Sequence, residues 1–284
     1  MEQKIEELKK KANWVRSQVL EMIASAGKGH IGGALSCTDI LVALYYGEIL
    51  RFDPSRKDWS ERDRFILSKG HAGTALYAVL ADLGFFPVSE LRNYGQRGCL
   101  LGGHPDKRVP GIEVDGGSLG HGLGVGAGLA LGAKMDKKDF LTIALLGDGE
   151  CYEGSVWESA MFASHHNLNN LVAIVDRNGL CAIDFTEDCN RLEPICDKWR
   201  SFGWEVTSVD GHSFEALLAT LKGLRFRKAK WPLVIIAKTI KGKGISFMEN
   251  NPSYHHAVPK GKELEIARKE LSWKPSKELQ IENV

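Results

Sequence analysis

Residues 141–180, LTIALLGDGECYEGSVWESAMFASHHNLNNLVAIVDRNGL, decide the fold. The apolar run Leu141–Leu146 halts at Gly147-Asp148-Gly149, and an amphipathic segment with Val156, Trp157, Ala160, Met161 and Ala163 begins just beyond. That reads as strand, tight turn and helix. A second apolar run, Leu171–Val175, ends on the turn-formers Asp176-Arg177-Asn178-Gly179. In a parallel sheet, consecutive strand–helix units put both strand carboxyl ends on one edge, where ligands bind. Asp148 and Asn178 are therefore expected to face one another. One carboxylate and one amide oxygen, completed by water and phosphate, suit Mg²⁺ shared with a diphosphate. The N–H groups of Gly149 and Glu150, expected to open the following helix, suit an anion. Taken alone, Gly147-Asp148-Gly149 is more often an ordinary Asp-Gly turn and Asn178 a helix cap.

Outward from this stretch, the 284 residues are ample for one large α/β domain, and one domain over residues 1–284 is expected. The 37 basic and 36 acidic residues nearly cancel, so bulk charge gives no reason to expect a nucleic-acid or anionic-membrane partner. Cys37, Cys99, Cys151, Cys181, Cys189 and Cys196 form neither a CxxC pair nor a zinc spacing, and read as reduced intracellular thiols. The amino terminus is charged from its first residues and lacks a long apolar run, which excludes a secretory signal or membrane span there and leaves the cytoplasm as the default.

Ile5, Leu8, Ala12, Val15 and Val19 make one apolar stripe, predicting a helix that ends before Gly27. Glycines then surround His30, and a helix is expected from about Ser36 to Leu50. A short strand at 62–68 delivers His71 to the turn Lys69-Gly70-His71-Ala72-Gly73, and a third histidine, His104, sits in Leu101-Gly102-Gly103-His104-Pro105. No pair has helical ligand spacing, so hydrogen bonding to a phosphorylated or polyhydroxylated ligand suits them better than a metal cluster. Gly124, Gly126, Gly128 and Gly132 each cost helix propensity about 1 kcal/mol relative to alanine. Their segment is thus expected to be a helix packed closely on the sheet or on a neighbouring subunit. Further on, the expected elements are helix 192–202, strand 204–209, helix 214–224 and strand 232–238, then a short charged helix and a tail containing Pro275. Lysines 238, 241 and 243 follow a strand end among glycines and read either as a phosphate-contacting loop or as solvated side chains. Continuous apolar runs alternating with helices give an α/β fold, a three-layer parallel sheet with helices on both faces.

The combination GDG, Glu153-Gly154, and Asn178 just under thirty residues after Gly149 resembles the thiamine-diphosphate binding motif. The ordered set GKGHIGG, LSKGHAGTALY, GGHP, GGSLGHG, GDGECYEG, DRNGL and KTIKGKG, from about residue 10 to residue 260, resembles the amino-terminal half of transketolase. Members of that family usually continue into pyrimidine-binding and carboxyl-terminal domains, so the resemblance implies the amino-terminal subunit of a split transketolase.

By the same resemblance, Asp148 and Asn178, with the carbonyl of Leu180, match the ligands of Mg²⁺ or another divalent cation such as Ca²⁺ or Mn²⁺. Gly149 and Glu150 match the motif positions nearest the diphosphate. His71 and His255 match histidines that touch it, and Gly117-Ser118-Leu119 matches the segment against the aminopyrimidine. His30, His104 and His255 match residues around the reacting oxygens of the donor ketose; the doublet His255-His256 leaves that last position open by one residue. Glu153 matches an interface carboxylate coupled to the opposite cofactor. Ser118 and His121 stand where the family has Pro and Gln. The implied activity is transfer of a two-carbon ketol unit between sugar phosphates. The implied partner is a second chain carrying the glutamate that activates the pyrimidine, in an α₂β₂ heterotetramer. Deoxyxylulose-phosphate synthase shares several motifs and is the nearest competitor, with His30 in GKGH and His104 in GGHP favouring transketolase; a non-catalytic cofactor-binding subunit is the other class.

Overall fold

The central strands of this protein are largely apolar, because both faces of its sheet are covered there. The computed structural model describes residues 2–56 and 58–271; the tail with Pro275 lies outside them. Strands β1 (Arg64–Leu67), β2 (Thr142–Gly147), β3 (Leu171–Arg177), β4 (Glu205–Asp210) and β5 (Leu233–Lys238) are all parallel, in the order β1-β2-β3-β5-β4. Helices are α1 (Glu2–Ala26), α2 (Ile31–Ser36), α3 (Thr38–Tyr46), α4 (Gly73–Asp82), α5 (His121–Met135), α6 (Gly154–His165), α7 (Thr186–Cys189), α8 (Ile195–Ser201), α9 (Phe214–Leu221) and α10 (Lys262–Glu270).

Strand side chains alternate between two cores, as a period of two requires. Phe65, Leu67, Ile143, Leu145, Val172, Ile174 and Ile235 meet α1–α4 and α9 on one face. Ile66, Ala144, Leu146, Ala173, Val175 and Ile236 meet α5, α6 and α8 on the other. The expected three-layer α/β architecture is therefore the observed one. Strand β4 is the exception to full burial: it lies at the edge, and Thr207 and Ser208 are exposed.

Three local expectations are corrected. The helix expected from Ser36 begins earlier, at Ile31, breaks at Cys37 and stops at Tyr46. Gly32 and Gly33 belong to α2 rather than to a loop, because neighbours press on them: a Cβ on Gly33 would lie 2.8 Å from the His71 ring, and one on Gly32 2.7 Å from the Tyr254 carbonyl. Gly149 and Glu150 open a 3₁₀ turn, Gly149–Tyr152, and the α-helix proper starts only at Gly154. Helix α8 begins at Ile195, since Pro194 disfavours helical geometry in the residue before it.

The glycines of α5 do permit close packing, at some positions. A Cβ on Gly122 would strike Ser68, one on Gly124 would lie 2.9 Å from the Ser159 hydroxyl, and Gly126 faces Ile66, Thr142 and Leu171. A Cβ on Gly128 or Gly132 would meet nothing within 4 Å among the described residues. No helix among the described residues is long and apolar enough to cross a membrane.

Candidate active site

Four adjacent strand ends deliver polar residues to one edge of the sheet. Strand β1 leads into Ser68-Lys69-Gly70-His71, β2 into Asp148, β3 into Asn178-Gly179-Leu180 and β5 into Thr239-Ile240-Lys241. The register pairs Gly147 with Asp176, so Asp148 and Asn178 leave the sheet side by side. A Cβ on Gly70 would lie 2.5 Å from the backbone nitrogen of Gly117, so these two loops touch main chain to main chain. Above them is a cavity of about 530 Å³ whose lining includes His30, His71, His104, Asp148, Asn178 and His255.

Asp148 is 1% exposed. Its Oδ1 accepts from Gly149 N (2.8 Å), and its Oδ2 accepts from Gly179 N (2.6 Å) and from Arg177 Nη1 (3.1 Å). Burial, then the neighbouring Asp176 charge, raises its pKa, and Arg177 opposes the shift only in part. Such a carboxylate gains from a cation. Asn178 donates to Asp176 (3.2 Å), while its Oδ1 accepts from Leu180 N (3.1 Å).

Beneath lies a buried ion pair, Lys69 with Asp176, both side chains wholly inaccessible. Lys69 also donates to the Gly33 carbonyl (2.9 Å), and Asp176 accepts from the hydroxyls of Ser36 and Thr239. Burial alone would raise the Asp176 pKa, yet the Lys69 ammonium holds it below the usual carboxylate range. For Lys69, burial pulls downward and Asp176 wins, so its pKa is raised.

Five imidazoles crowd the mouth. The ring of His30 lies 5.8 Å from that of His71, 5.7 Å from His104, 5.4 Å from His255 and 4.5 Å from His256. Burial, then the charges of His256, His104 and Lys241, takes His30 down to about 4. Burial and Lys241 take His255 to about 3, and burial takes His71 well below its ordinary value. Lys241 itself is buried, donating to the Cys181 carbonyl (2.5 Å) and to Nδ1 of His255 (2.9 Å); burial and the Lys69 charge lower it to about 8. The solvated reading of this lysine is thus wrong, whereas Lys238 is exposed and Lys243 pairs at the surface with Glu249.

Depressed pKa values make His30, His71 and His255 neutral at pH 7. The sign follows: an unfolded chain takes up protons below about 6.5 that the folded site refuses, so stability falls as pH drops from there toward 3–4. The expected outcome is that the His30 and His255 ring signals in NMR spectra of the ligand-free chain stay fixed between pH 8 and 5.5. A midpoint near 6.5 for either ring would refute the burial argument.

The remaining expected site residues divide. Gly117, Leu119, Gly149, Glu150 and Leu180 line the cavity, but Ser118 is exposed. The Glu150 carboxylate is spent internally, on Ser68, Gly120 N (2.8 Å) and Gly147 N (3.0 Å), tying three loops together. Glu153 is exposed at the start of α6 and lies outside the cavity lining. His212 supports the site from behind: Nδ1 meets Asp39 (2.6 Å) and Nε2 accepts from Ile240 N (2.9 Å), fixing the residue next to Lys241. A separate cavity of about 300 Å³, lined by Arg62 and Glu113 among others, lies near the start of β1, away from these strand ends.

The donor set fits a metal-bridged diphosphate. Asp148 has about four lone-pair positions, of which hydrogen bonds use three. Together with the second lone pair of the Asn178 amide oxygen and the Leu180 carbonyl it offers only oxygen, as hard divalent cations prefer. Lys241, His71 and His255 line the same cavity beside it.

Fold and site thus define a parallel α/β protein with a polar, histidine-rich crevice at the carboxyl edge of its sheet. Residues 8–284 match the family model described as transketolase, thiamine diphosphate binding domain, and the chain belongs to that family. It is 43% identical to one of the subunits of the apulose-4-phosphate transketolase of Phocaeicola vulgatus, over 94% of this chain and 95% of that one. It is 42% identical to the 6-deoxy-6-sulfo-D-fructose transketolase subunit SqwG of a Clostridium species, over 90% and 92%. The transketolase crystal structure from Campylobacter jejuni superposes with a TM-score of 0.87 at 30% identity, covering 94% of this chain but 43% of that one. Against human transketolase the identity is 40%, over 89% of this chain and 40% of the human protein.

Proposed function

We propose that this chain is the diphosphate-binding subunit of a two-chain transketolase, moving a two-carbon ketol unit from a ketose phosphate to an aldose phosphate. The observation that carries the reading is one cavity in which Asp148 and Asn178 emerge together with four imidazoles, those of His30, His71, His104 and His255. Thiamine diphosphate, when bound, supplies the electron sink for breaking and making the carbon–carbon bond. Asp148, Asn178 and the Leu180 carbonyl hold Mg²⁺, or Ca²⁺ or Mn²⁺ in its place. Gly149, Glu150, His71 and His255 flank the diphosphate, with Lys241 as a further cation. Gly117, Ser118 and Leu119 face the aminopyrimidine.

His30, His104 and His255 orient the sugar and move protons at its carbonyl and hydroxyl oxygens. A neutral imidazole suits that work, since it carries one nitrogen that donates and one that accepts. The Lys241 ammonium occupies Nδ1 of His255, which leaves the proton of that ring on Nε2. Glu153, exposed in this chain, serves at an interface with a second copy.

Residues 1–284 then act as one domain, and a partner chain brings the pyrimidine-binding and carboxyl-terminal domains with the activating glutamate, in an α₂β₂ assembly. Support comes from relatives of near-equal length that are named as subunits, and from single-chain transketolases that extend well beyond the matched region. Sugar phosphates as substrates and unpaired thiols point to the cytoplasm. Purified alone, the chain is expected to give no ketol transfer from a panel of ketose phosphates. Mixed with the chain that copurifies from its host, it is expected to turn over in the presence of thiamine diphosphate and Mg²⁺. Robust turnover by the isolated chain would overturn the two-chain reading.

A further inference from the structure

The segment leaving β3 carries two cysteines that none of these roles uses. Cys181 directly follows Leu180, Cys189 ends α7, and their sulfurs are 3.4 Å apart. Both line the cavity, Cys189 is exposed and Cys181 is partly so, whereas Cys37 and Cys151 are buried. The loop between them is folded back on itself: Cys181 N donates to the Asp184 carbonyl (2.9 Å), Thr186 N to that of Gly179 (2.9 Å) and Cys189 N to that of Phe185 (3.1 Å). A disulfide needs about 2.05 Å between sulfurs, so the pair is little more than an ångström from bonding distance.

We propose that Cys181 and Cys189 form a reversible disulfide at the mouth of the cavity, and that closing it weakens the hold on the metal-bridged diphosphate. The oxidant is a small disulfide. One protein sulfur attacks it, releasing one small thiol, and the second protein sulfur displaces the other. The dithiol loses two electrons, the small disulfide gains them, and the two thiol protons leave on the released thiols.

The weakening follows from what Cys181 touches. Its carbonyl accepts from Lys241 Nζ at 2.5 Å, and its Cβ lies 3.0 Å from where a Cβ on Gly149 would be. Drawing its sulfur toward Cys189 therefore shifts the peptide shared with Leu180, whose carbonyl is a metal ligand in the proposed function, and disturbs the Lys241 contact. Displacing groups that support a metal site costs about tenfold in affinity or more. This effect rests on the cofactor reading; the disulfide does not.

The full chain is treated with oxidised glutathione, remaining thiols are alkylated, and tryptic peptides are weighed. The peptide Asn178–Arg191, which carries both cysteines, is expected unalkylated and two hydrogens lighter, and restored by dithiothreitol. Two alkylated thiols, or glutathione adducts on either cysteine, overturn the disulfide. Calorimetric titration with thiamine diphosphate and Mg²⁺ is expected to give about tenfold weaker binding after oxidation, and Cys189→Ser is expected to bind equally with and without oxidant. Equal affinities of the two wild-type states overturn the weakening. Binding in neither state counts against the cofactor reading, while the peptide mass still decides the disulfide.

Discussion

Replacing Asp148 with Asn is expected to lower Mg²⁺-dependent affinity for thiamine diphosphate by about a hundredfold, with the circular dichroism spectrum of the ligand-free chain unchanged. The carboxylate is buried and its pKa is raised, so the ligand-free protein bears a cost, compensated only in part, that a cation relieves. Arg177 relieves part of it already, at 3.1 Å, and is also held at 3.0 Å by Glu187 and by Glu193. A metal can therefore displace the guanidinium without stranding it, because two other carboxylates keep it paired. An amide at position 148 keeps the shape but removes the charge that attracts the cation. Calorimetric titration of wild type and variant, each with and without Mg²⁺, measures the effect. Unchanged metal-dependent affinity in the variant would remove Asp148 from the site.

The parts of this molecule that were legible in its sequence are those where one residue type has one physical use. Leu141–Leu146 and Leu171–Val175 are apolar throughout and became β2 and β3. The glycines beside His30, His71 and His104 marked loops and close approaches that bring these rings together. What stayed hidden depends on partners remote in the chain. Lys69 reads as an ordinary charged residue until Asp176, across the sheet edge, is seen to neutralise it. Lys241 stands beside Lys238 and Lys243 in sequence, yet only Lys241 turns inward. The available signal was its place between a strand end and two glycines, which suits a solvated lysine equally well. Glu150 was legible as a motif residue but not as the acceptor that joins Ser68, Gly120 and Gly147. His256 was an alternative to His255; both rings stand close to His30, so the doublet contributes two imidazoles rather than one.

Lys69→Met should produce the largest loss of stability. Lys69 and Asp176 are both fully buried, and removing one member of such a pair leaves an uncompensated charge that costs about 3–5 kcal/mol. For a chain of this size that is on the order of 10 °C in melting temperature. The pH dependence separates charge from packing. In the wild type, Asp176 has a lowered pKa, so its contribution is present above about 4 and is lost as pH falls through the folded value. Lys69 has a raised pKa, so its contribution is present below about 10.4 and is lost as pH rises through the folded value. Without Lys69, burial outweighs the hydrogen bonds from Ser36 and Thr239 that still oppose it, and the Asp176 pKa rises. The penalty of the variant is then largest at neutral pH and shrinks toward pH 4, where Asp176 takes up a proton and keeps its contacts with Ser36 and Thr239. Melting curves of both proteins from pH 4 to 8 make the comparison. A deficit that does not change with pH would mean that the lost methylene and ammonium contacts, rather than the stranded carboxylate, account for the damage.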